Sequence, residues 1–197
     1  MSLEVSGLSN NSQFKKLDSG VYDAVCDAIA AVGAVYTPAF NKWSNKVYIH
    51  FTTESGDGIW MNETQSIGTK SRLGKKLRSW RGRDFTPEEL AKFSLINILG
   101  VSCQLVVEKR VLASGNEFSN VESILPAKKK LEAKDKWVFD VDDPAKENYD
   151  KLPQFIKNAM ETSKQAINNQ HAESAQSNQN GKQGVADQGL DLGDIPF

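Results

Sequence analysis

The chain has 197 residues, a formal net charge of −1 and 39% hydrophobic residues. This suits one medium-sized core and argues against a multidomain enzyme, since a domain takes roughly 100–200 residues. No apolar run approaches the ~18 residues of a membrane span, and the start lacks a signal-peptide pattern. We therefore expect a cytoplasmic protein with no membrane partner. Residues 1–160 carry 22 basic and 20 acidic side chains, whereas residues 161–197 carry two and five.

Cysteine and histidine are scarce. Cys26 and Cys103 lie in apolar alternating stretches, far from any metal-ligand spacing, so we expect buried reduced thiols. With only His50 and His171, a histidine-based metal site or a catalytic triad has almost no material. We expect no metal, no cofactor and no catalytic residue.

Three strands are predicted before any helix. Residues 19–32 mix small and β-branched types, and a slip in their alternation indicates a bulge. Residues 46–52 alternate strictly, which predicts a half-buried strand. The glycines of residues 55–58 permit positive φ and predict a hairpin turn, after which residues 59–65 return as the third strand. The predicted core face of the second strand consists of Val47, Ile49 and Phe51.

Two helices and two more strands follow. The first helix begins at Ser71, a suitable N-cap, and ends at Gly82. Residues 86–89 form a capping box with proline at the first helical position, and we expect this second helix to end at Gly100. Residues 101–125 then predict two strands joined by a turn.

This order, three strands, helices and two strands, is that of the five-stranded OB-fold barrel, a common binder of oligonucleotides. We expect a mainly β OB-fold domain over residues 1–139, followed by a helical segment at 140–161. Of the 28 residues 162–189, 20 are Gln, Asn, Ser, Ala or Gly and none is aromatic. Such a segment buries too little surface to offset chain entropy, so we predict a disordered linker.

Residues 190–197 form an apolar and acidic tip after this linker. Pro196 limits the entropy lost on docking. Phe197 carries a ring and the α-carboxylate together, so that a partner pocket takes the ring while a neighbouring Arg or Lys takes the carboxylate. The candidate partner-binding residues are Asp191, Asp194, Ile195, Pro196 and Phe197.

The tip resembles the tail of bacterial single-stranded DNA-binding proteins, which end an OB-fold and a Gln/Asn/Gly-rich linker with the same Asp-Ile-Pro-Phe. The resemblance implies that residues 194–197, assisted by Asp191, recruit replication, recombination and repair proteins. Leu192 and Gly193 stand where that family usually keeps acids, which weakens docking or changes the preferred partner.

Residues 70–83 hold seven basic side chains in 14 positions. The helix carries an apolar stripe, Leu73, Leu77 and Trp80, that we expect in the core. Arg72, Lys75 and Lys76 are then expected to point outward, where they can track a phosphate backbone. Gly82 lets the flanking arginines approach phosphates or bases. The alternative is a solvated helix face. The candidate DNA-binding cations are Lys70, Arg72, Lys75, Lys76, Arg78, Arg81 and Arg83.

The run from Ser71 to Glu89, together with Ile98-Leu99-Gly100, is similar to bacteriophage-encoded single-stranded DNA-binding OB proteins. The likeness covers about residues 19–126. It implies the OB-fold and a phage protein that acts in the cytoplasm of the infected bacterial host. It assigns no DNA-contacting residue.

Sequence-independent binding of single strands also needs aromatic side chains on which bases stack. Tyr48, His50 and Trp60 lie opposite the predicted core face and are expected to share the outer face of the sheet. The loop between the first two strands holds three more aromatics, where OB-folds commonly bind ligands. Ordinary packing is equally compatible with each. The candidate stacking residues are Tyr36, Phe40, Trp43, Tyr48 and Trp60.

We predict non-catalytic, sequence-independent binding and protection of single-stranded DNA in phage replication and recombination. One alternative is an adaptor that binds no DNA and recruits host repair proteins through its tail. Another is a metal-dependent nuclease built on Asp140, Asp142, Asp143 and Glu147, although such acids also suit a helix N-terminus. Homo-oligomers, and competition of the acidic tip for the DNA groove, stay open.

Overall fold

The computed structural model describes residues 16–111 and 115–180, of which 169–180 are described by their backbone alone. The chain divides into two compact units, residues 1–153 and 154–197. The first unit extends past the boundary predicted at residue 139. The predicted tip, with Asp191, Asp194, Ile195, Pro196 and Phe197, lies outside the described residues, as do positions 181–189 of the predicted linker.

The first unit is mainly β, as predicted. Its strands are β1 (Gly20–Thr37), β2 (Lys42–Thr53), β3 (Gly58–Thr64), β4 (Ser102–Val111), β5 (Glu117–Pro126) and β6 (Trp137–Asp140). They form one sheet in the antiparallel order β3, β2, β1, β4, β5, and β6 runs parallel to β1. The predicted order of elements along the chain, three strands, a helical insertion and two strands, is confirmed, while the sequence does not predict β6.

Strand β1 is long because it pairs with three neighbours. Residues 20–25 pair with β4, residues 28–31 with β6, and residues 24–37 with β2. The register with β2 shifts between Cys26 and Ala28, which confirms the predicted bulge. A bulge increases the local twist and lets one strand serve different neighbours along its length.

Helix α1 (Arg72–Arg81) begins and ends where the sequence predicts. The side chain of Ser71 accepts a hydrogen bond from the Gly74 amide, which caps the first turn. Gly82 ends the helix in the left-handed conformation, with φ of 67°, and its amide donates to the Ser79 carbonyl.

Helix α2 (Pro87–Lys92) confirms the predicted capping box but is shorter than expected. Phe93 adopts extended backbone, and the Ser94 side chain caps a separate 3-10 turn at Leu95–Ile98. The prediction that this helix continues to Gly100 is therefore wrong. A hydroxyl that bonds nearby backbone offers the chain an alternative to continued helix.

The core lies on the sheet face that α1 covers. The predicted face of the second strand is fully buried there, together with the apolar stripe of α1. Trp80 donates from Nε1 to the Ser102 carbonyl at 2.9 Å, which satisfies its only polar group. Cys26 and Cys103 are buried free thiols, as predicted. Burial raises the pKa of both, that of Cys103 to about 12.

The opposite face of the sheet is also buried at one end. Ala30 of β1 pairs with Tyr48 of β2 on one side and with Phe139 of β6 on the other, so their side chains share this face. All three are buried, and so is Leu152. The chain after β5 therefore contributes a second, smaller apolar layer.

The second unit contains helix α3 (Gln154–Asn180). The helix predicted within 140–161 thus begins only at Gln154, because residues 141–153, after β6, contain turns and one 3-10 turn at Tyr149–Lys151. It continues into the segment predicted as a disordered linker, so that prediction is wrong as far as residue 180. The segment contains no glycine or proline before Gly181, and its alanines and glutamines favour helix. Within the described part of the chain, no helix is long and apolar enough to cross a membrane.

Candidate nucleic-acid interface

Lys76, a predicted DNA-binding cation, is instead a buried structural residue. Its side chain is 6% exposed, and Nζ donates to Glu63 Oε1 at 2.6 Å and to the Val121 carbonyl at 2.5 Å. Glu63 belongs to β3 and Val121 to β5, so this ammonium links the two end strands of the sheet. The outward orientation predicted for Lys76 is wrong. Lys76 lies on the buried side of α1, next to Leu77, and faces the two end strands β3 and β5.

Arg78 is also engaged within the chain. Its Nη2 donates to the Thr69 carbonyl at 2.7 Å, and Nε lies 3.6 Å from Asp84 Oδ1. Its side chain is 15% exposed. The guanidinium therefore holds the loop before α1 and presents little surface to a ligand.

Arg81 and Arg83 form a fork around Glu89. Arg81 Nη2 donates to Glu89 Oε1 at 2.5 Å, and Arg83 donates to both carboxylate oxygens at 2.6 and 2.9 Å. Arg81 also lies 4.2 Å from the centroid of the Phe85 ring. Hydrogen bonds from Arg83, the Thr86 amide and Arg81 lower the pKa of Glu89 to about 2. The fork thus engages two of the seven cations that the sequence assigns to DNA with one carboxylate.

Besides Arg83, which is 56% exposed but bound to Glu89, three of the seven predicted cations are on the surface. Lys70 and Lys75 are exposed, and Arg72 is 68% exposed with Nη2 at 3.6 Å from Glu63 Oε1. Only Arg72 and Lys75 of these three belong to α1, so the helix exposes two cations, and the DNA-binding role predicted for them stays a prediction.

The hairpin between β1 and β2 brings the predicted loop aromatics together. The rings of Tyr36 and Trp43 lie 5.2 Å apart, and the Tyr36 hydroxyl donates to Asn41 Oδ1 at 2.9 Å. Phe40, in a 3-10 turn at the tip, is 79% exposed. Lys42 is exposed beside it. Among the described residues, 35–37 pair in the sheet only with 42–44, so this tip extends beyond the neighbouring strands.

Tyr48, His50 and Trp60 share the outer face of the sheet, as the alternation predicts. His50 pairs directly with Trp60, and Tyr48 pairs with Asn62. Tyr48 is only 4% exposed, and burial raises its pKa. It cannot offer a ring face to a base, so its assignment as a stacking residue is wrong.

A cleft of about 500 Å³ opens beside Trp60 on this face. Trp137 of β6 forms another wall, with its ring centroid 5.9 Å from that of Trp60. The His50 ring lies 4.8 Å from Trp60, and its Nδ1 lies 2.6 Å from Asp27 Oδ1. Asp27 also accepts a hydrogen bond from Thr52 at 2.5 Å. The His50 ring is therefore held against Trp60 by its polar contact with Asp27.

Gly58 permits this arrangement of the histidine. A Cβ at position 58 would lie 2.5 Å from His50 Nε2. The ring has little freedom to move away, since Asp27 and Trp60 hold it from other sides. A residue with a side chain at position 58 would therefore disturb the cleft.

The chain that borders the cleft is strongly basic. We call residues 128–136 the lysine segment: it holds five lysines and two acids in nine positions, and all five lysines are exposed. Ser102 fixes it to β4, because its hydroxyl donates to the Leu131 carbonyl at 3.1 Å and accepts from the Leu131 amide at 2.9 Å. Only Lys129 forms an ion pair with a described residue, Glu54.

The sequence interpretation missed Trp137 and the lysine segment as site residues. A signal was present, since five lysines in nine positions directly precede an aromatic residue in an apolar segment. What it lacked was the position of this segment beside Trp60, which depends on β6 pairing with β1.

Asp140 and Asp143, proposed for a nuclease, cap turns instead. Their carboxylates accept hydrogen bonds from the Asp142 and Ala145 amides at 3.0 and 2.9 Å. No group of three or more His, Cys, Asp or Glu within the described ranges is arranged to hold a metal ion.

The described part of the chain thus presents two aromatic surfaces with lysines beside them, the hairpin tip and the cleft. The basic helix chosen from the sequence is largely committed to internal contacts. No protein-family model matches this chain, and no curated protein matches its sequence.

Proposed function

We propose that this protein binds and protects single-stranded DNA without sequence preference and without catalysis. The observation that carries the proposal is the β1–β2 hairpin, whose tip presents Phe40 at 79% exposure next to Lys42 and the Tyr36–Trp43 pair. Phe40 therefore offers an open ring face that a ligand can reach. Bases of any sequence stack on such rings, while lysines contact the phosphates.

We further propose that the sheet closes into an OB-type barrel. The strand order supports this, with α1 between the third and fourth strands. The contact of Lys76 with both Glu63 and Val121 also supports it, because those residues lie on the two strands that such a barrel brings together. The hairpin would then be the loop that OB-folds commonly use for oligonucleotides.

A preference for single strands follows from the chemistry of the hairpin. A duplex stacks its bases on one another, so their faces are hidden from Phe40 and Trp43. Phosphate contacts release counterions, and the log of affinity falls with the log of salt by about 0.7 for each phosphate contacted on a single strand. Binding should therefore favour single strands and weaken as salt rises.

The wider role of the chain is proposed from its sequence likenesses. It would act in phage DNA replication and recombination in the cytoplasm of the bacterial host. Residues 190–197 would recruit replication, recombination and repair proteins. Homo-oligomers are compatible with this role.

An equilibrium titration tests the proposal: fluorescent oligo-dT against a duplex of equal length, at two salt concentrations, with the full chain. We expect tight, salt-sensitive binding to oligo-dT and weaker binding to the duplex. Phe40→Ala should weaken oligo-dT binding roughly 5- to 150-fold, the range for one lost base stack. Phe155→Ala, an exposed phenylalanine of α3, is the matched control and should bind as the unaltered protein does.

A folded protein that does not bind oligo-dT would refute the proposal. The adaptor function would then become the leading hypothesis, since it needs only the tail.

A further inference from the structure

The cleft beside Trp60 differs from the hairpin tip in being enclosed. Its volume of about 500 Å³ falls within the range of roughly 300–1,000 Å³ of small-molecule sites. Trp60 and Trp137 are each half-buried, and their ring planes meet at 58°. A flat ligand that enters the cleft therefore contacts one indole by its face and the other by its edge, which aromatic pairs prefer.

The charge that favours an anionic strand over a basic peptide lies on the lysine segment beside the cleft, since four acids line the cleft itself: Asp27, Glu54, Glu132 and Asp135. Two of its acids already have cationic partners within the chain, since Glu54 pairs with Lys129 and Asp135 with Lys151. Lys128, Lys130 and Lys134 form no ion pair with any described residue. The lysine segment thus keeps a net positive charge, five lysines against two acids, beside the aromatic rings of the cleft.

The polar groups that line the cleft suit the edge of a nucleobase. Thr52 and His50 both contact the Asp27 carboxylate, which fixes the hydroxyl and the imidazole in one orientation. Every base carries donors and acceptors at its edges, whereas its faces are apolar. A cleft lined by two indole rings and by polar side chains matches that distribution.

We infer that the Trp60–Trp137 cleft receives one unpaired nucleobase of the bound strand, while the flanking phosphates lie along the lysine segment. This inference rests on the proposed function and adds a base-binding subsite separate from the hairpin. Only an unpaired base can enter, because a paired base would first have to leave its stack. The cleft thereby contributes to the preference for single strands.

The test compares oligo-dT with an abasic oligonucleotide of equal length, which keeps the phosphates and lacks the bases. We expect the unaltered protein to bind oligo-dT at least about tenfold more tightly. Trp137→Leu should remove about five- to a hundredfold of the oligo-dT affinity and leave the abasic affinity unchanged. Its effect should add to that of Phe40→Ala, because separate subsites contribute independently.

A triple variant, Lys128→Gln with Lys130→Gln and Lys134→Gln, tests the phosphate path. It should weaken binding to both oligonucleotides. It should also lower the log–log salt slope by about 2, since each phosphate that a lysine no longer neutralises removes about 0.7 from the slope. The control removes three exposed lysines elsewhere, Lys16, Lys92 and Lys164, and should leave the slope unchanged.

A crosslinking measurement on the unaltered protein does not depend on the variants folding. Oligo-dT with a single iodinated uracil should crosslink to peptides that contain Trp60 or Trp137. Crosslinks confined to the hairpin peptide would overturn the inference, as would a folded Trp137→Leu variant that binds oligo-dT unchanged. In both cases the proposed function stands, whereas failure of the unaltered protein to bind oligo-dT removes both.

Discussion

Two basic regions of this protein look alike in sequence and differ in the structure. Residues 70–83 hold seven cations in 14 positions, and the lysine segment holds five in nine. In the first region Lys76, Arg78, Arg81 and Arg83 contact carboxylates or carbonyls of the chain itself. In the second, all five lysines are exposed. A high density of cations in sequence therefore does not identify the cations that remain for a ligand.

The difference follows from secondary structure and from the neighbouring acids. A helix that packs on a sheet turns every third or fourth residue inward, and Lys76 falls on such a position in α1. The following loop brings Glu89 to the two arginines. The lysine segment instead lies on the surface, attached mainly by Ser102, and it carries only two acids of its own.

Lys76→Met should produce the largest effect on stability. It leaves the Glu63 carboxylate buried without the ammonium, which we expect to cost about 3–5 kcal/mol of unfolding free energy in urea denaturation. The double variant with Glu63→Leu should recover most of this loss. The exposed neighbour gives the control, Lys75→Met, which should stay within about 0.5 kcal/mol. A stable Lys76→Met single variant would contradict the buried pair.

Arg78→Ala should have the next largest effect. It removes the charged donor to the Thr69 carbonyl, with an expected loss of about 1–3 kcal/mol of unfolding free energy. Hydrogen exchange should also speed up in the loop before α1. Lys70→Ala removes an exposed cation of the same region and should change neither measurement.

Glu89→Gln should lower the thermal unfolding temperature at pH 7, since it weakens the fork to Arg81 and Arg83. The pKa of Glu89 is about 2 in the folded protein, below its ordinary value. Its contribution to stability is therefore complete above the ordinary carboxyl pKa and is lost as the pH falls towards 2. The difference in unfolding temperature between the variant and the unaltered protein should therefore shrink as the pH falls from the ordinary carboxyl pKa towards 2. Glu132→Gln, at an exposed acid, should show no such difference at any pH.

Lys130→Gln should have the smallest effect on folding and sharpens the comparison. Its side chain is exposed without an ion pair to the described residues, so the unfolding free energy should stay within about 0.5 kcal/mol. The log–log salt slope of oligo-dT binding should fall by about 0.7. An unchanged slope would place the phosphates away from the lysine segment.

Much of the fold could be predicted from the sequence because its signals are local. Strict alternation predicted the buried face of β2, and the slip in β1 predicted the bulge at Cys26. Ser71 and Gly82 marked the ends of α1. The buried face, the bulge and the helix ends each depend on residues only a few positions apart, so the local sequence pattern is enough to predict them.

The site was predicted only in part, because it depends on contacts between distant segments. Alternation placed Tyr48 and Trp60 on the outer face, yet whether that face is open depends on β6. Its Phe139 shares the face with the buried Tyr48, while Trp137 stands next to Trp60 and leaves a cleft.

From the sequence alone follow the order of β1–β5 and the two helices along the chain, the N-caps of those helices and the core-facing side of β2, since these depend on backbone propensity and side-chain period. Which charges and rings remain exposed depends on the tertiary structure. Lys76 contacts Glu63 and Val121, which lie 13 and 45 positions away in the chain. Whether a cation is buried or exposed depends on such distant acceptors, and no local pattern contains them.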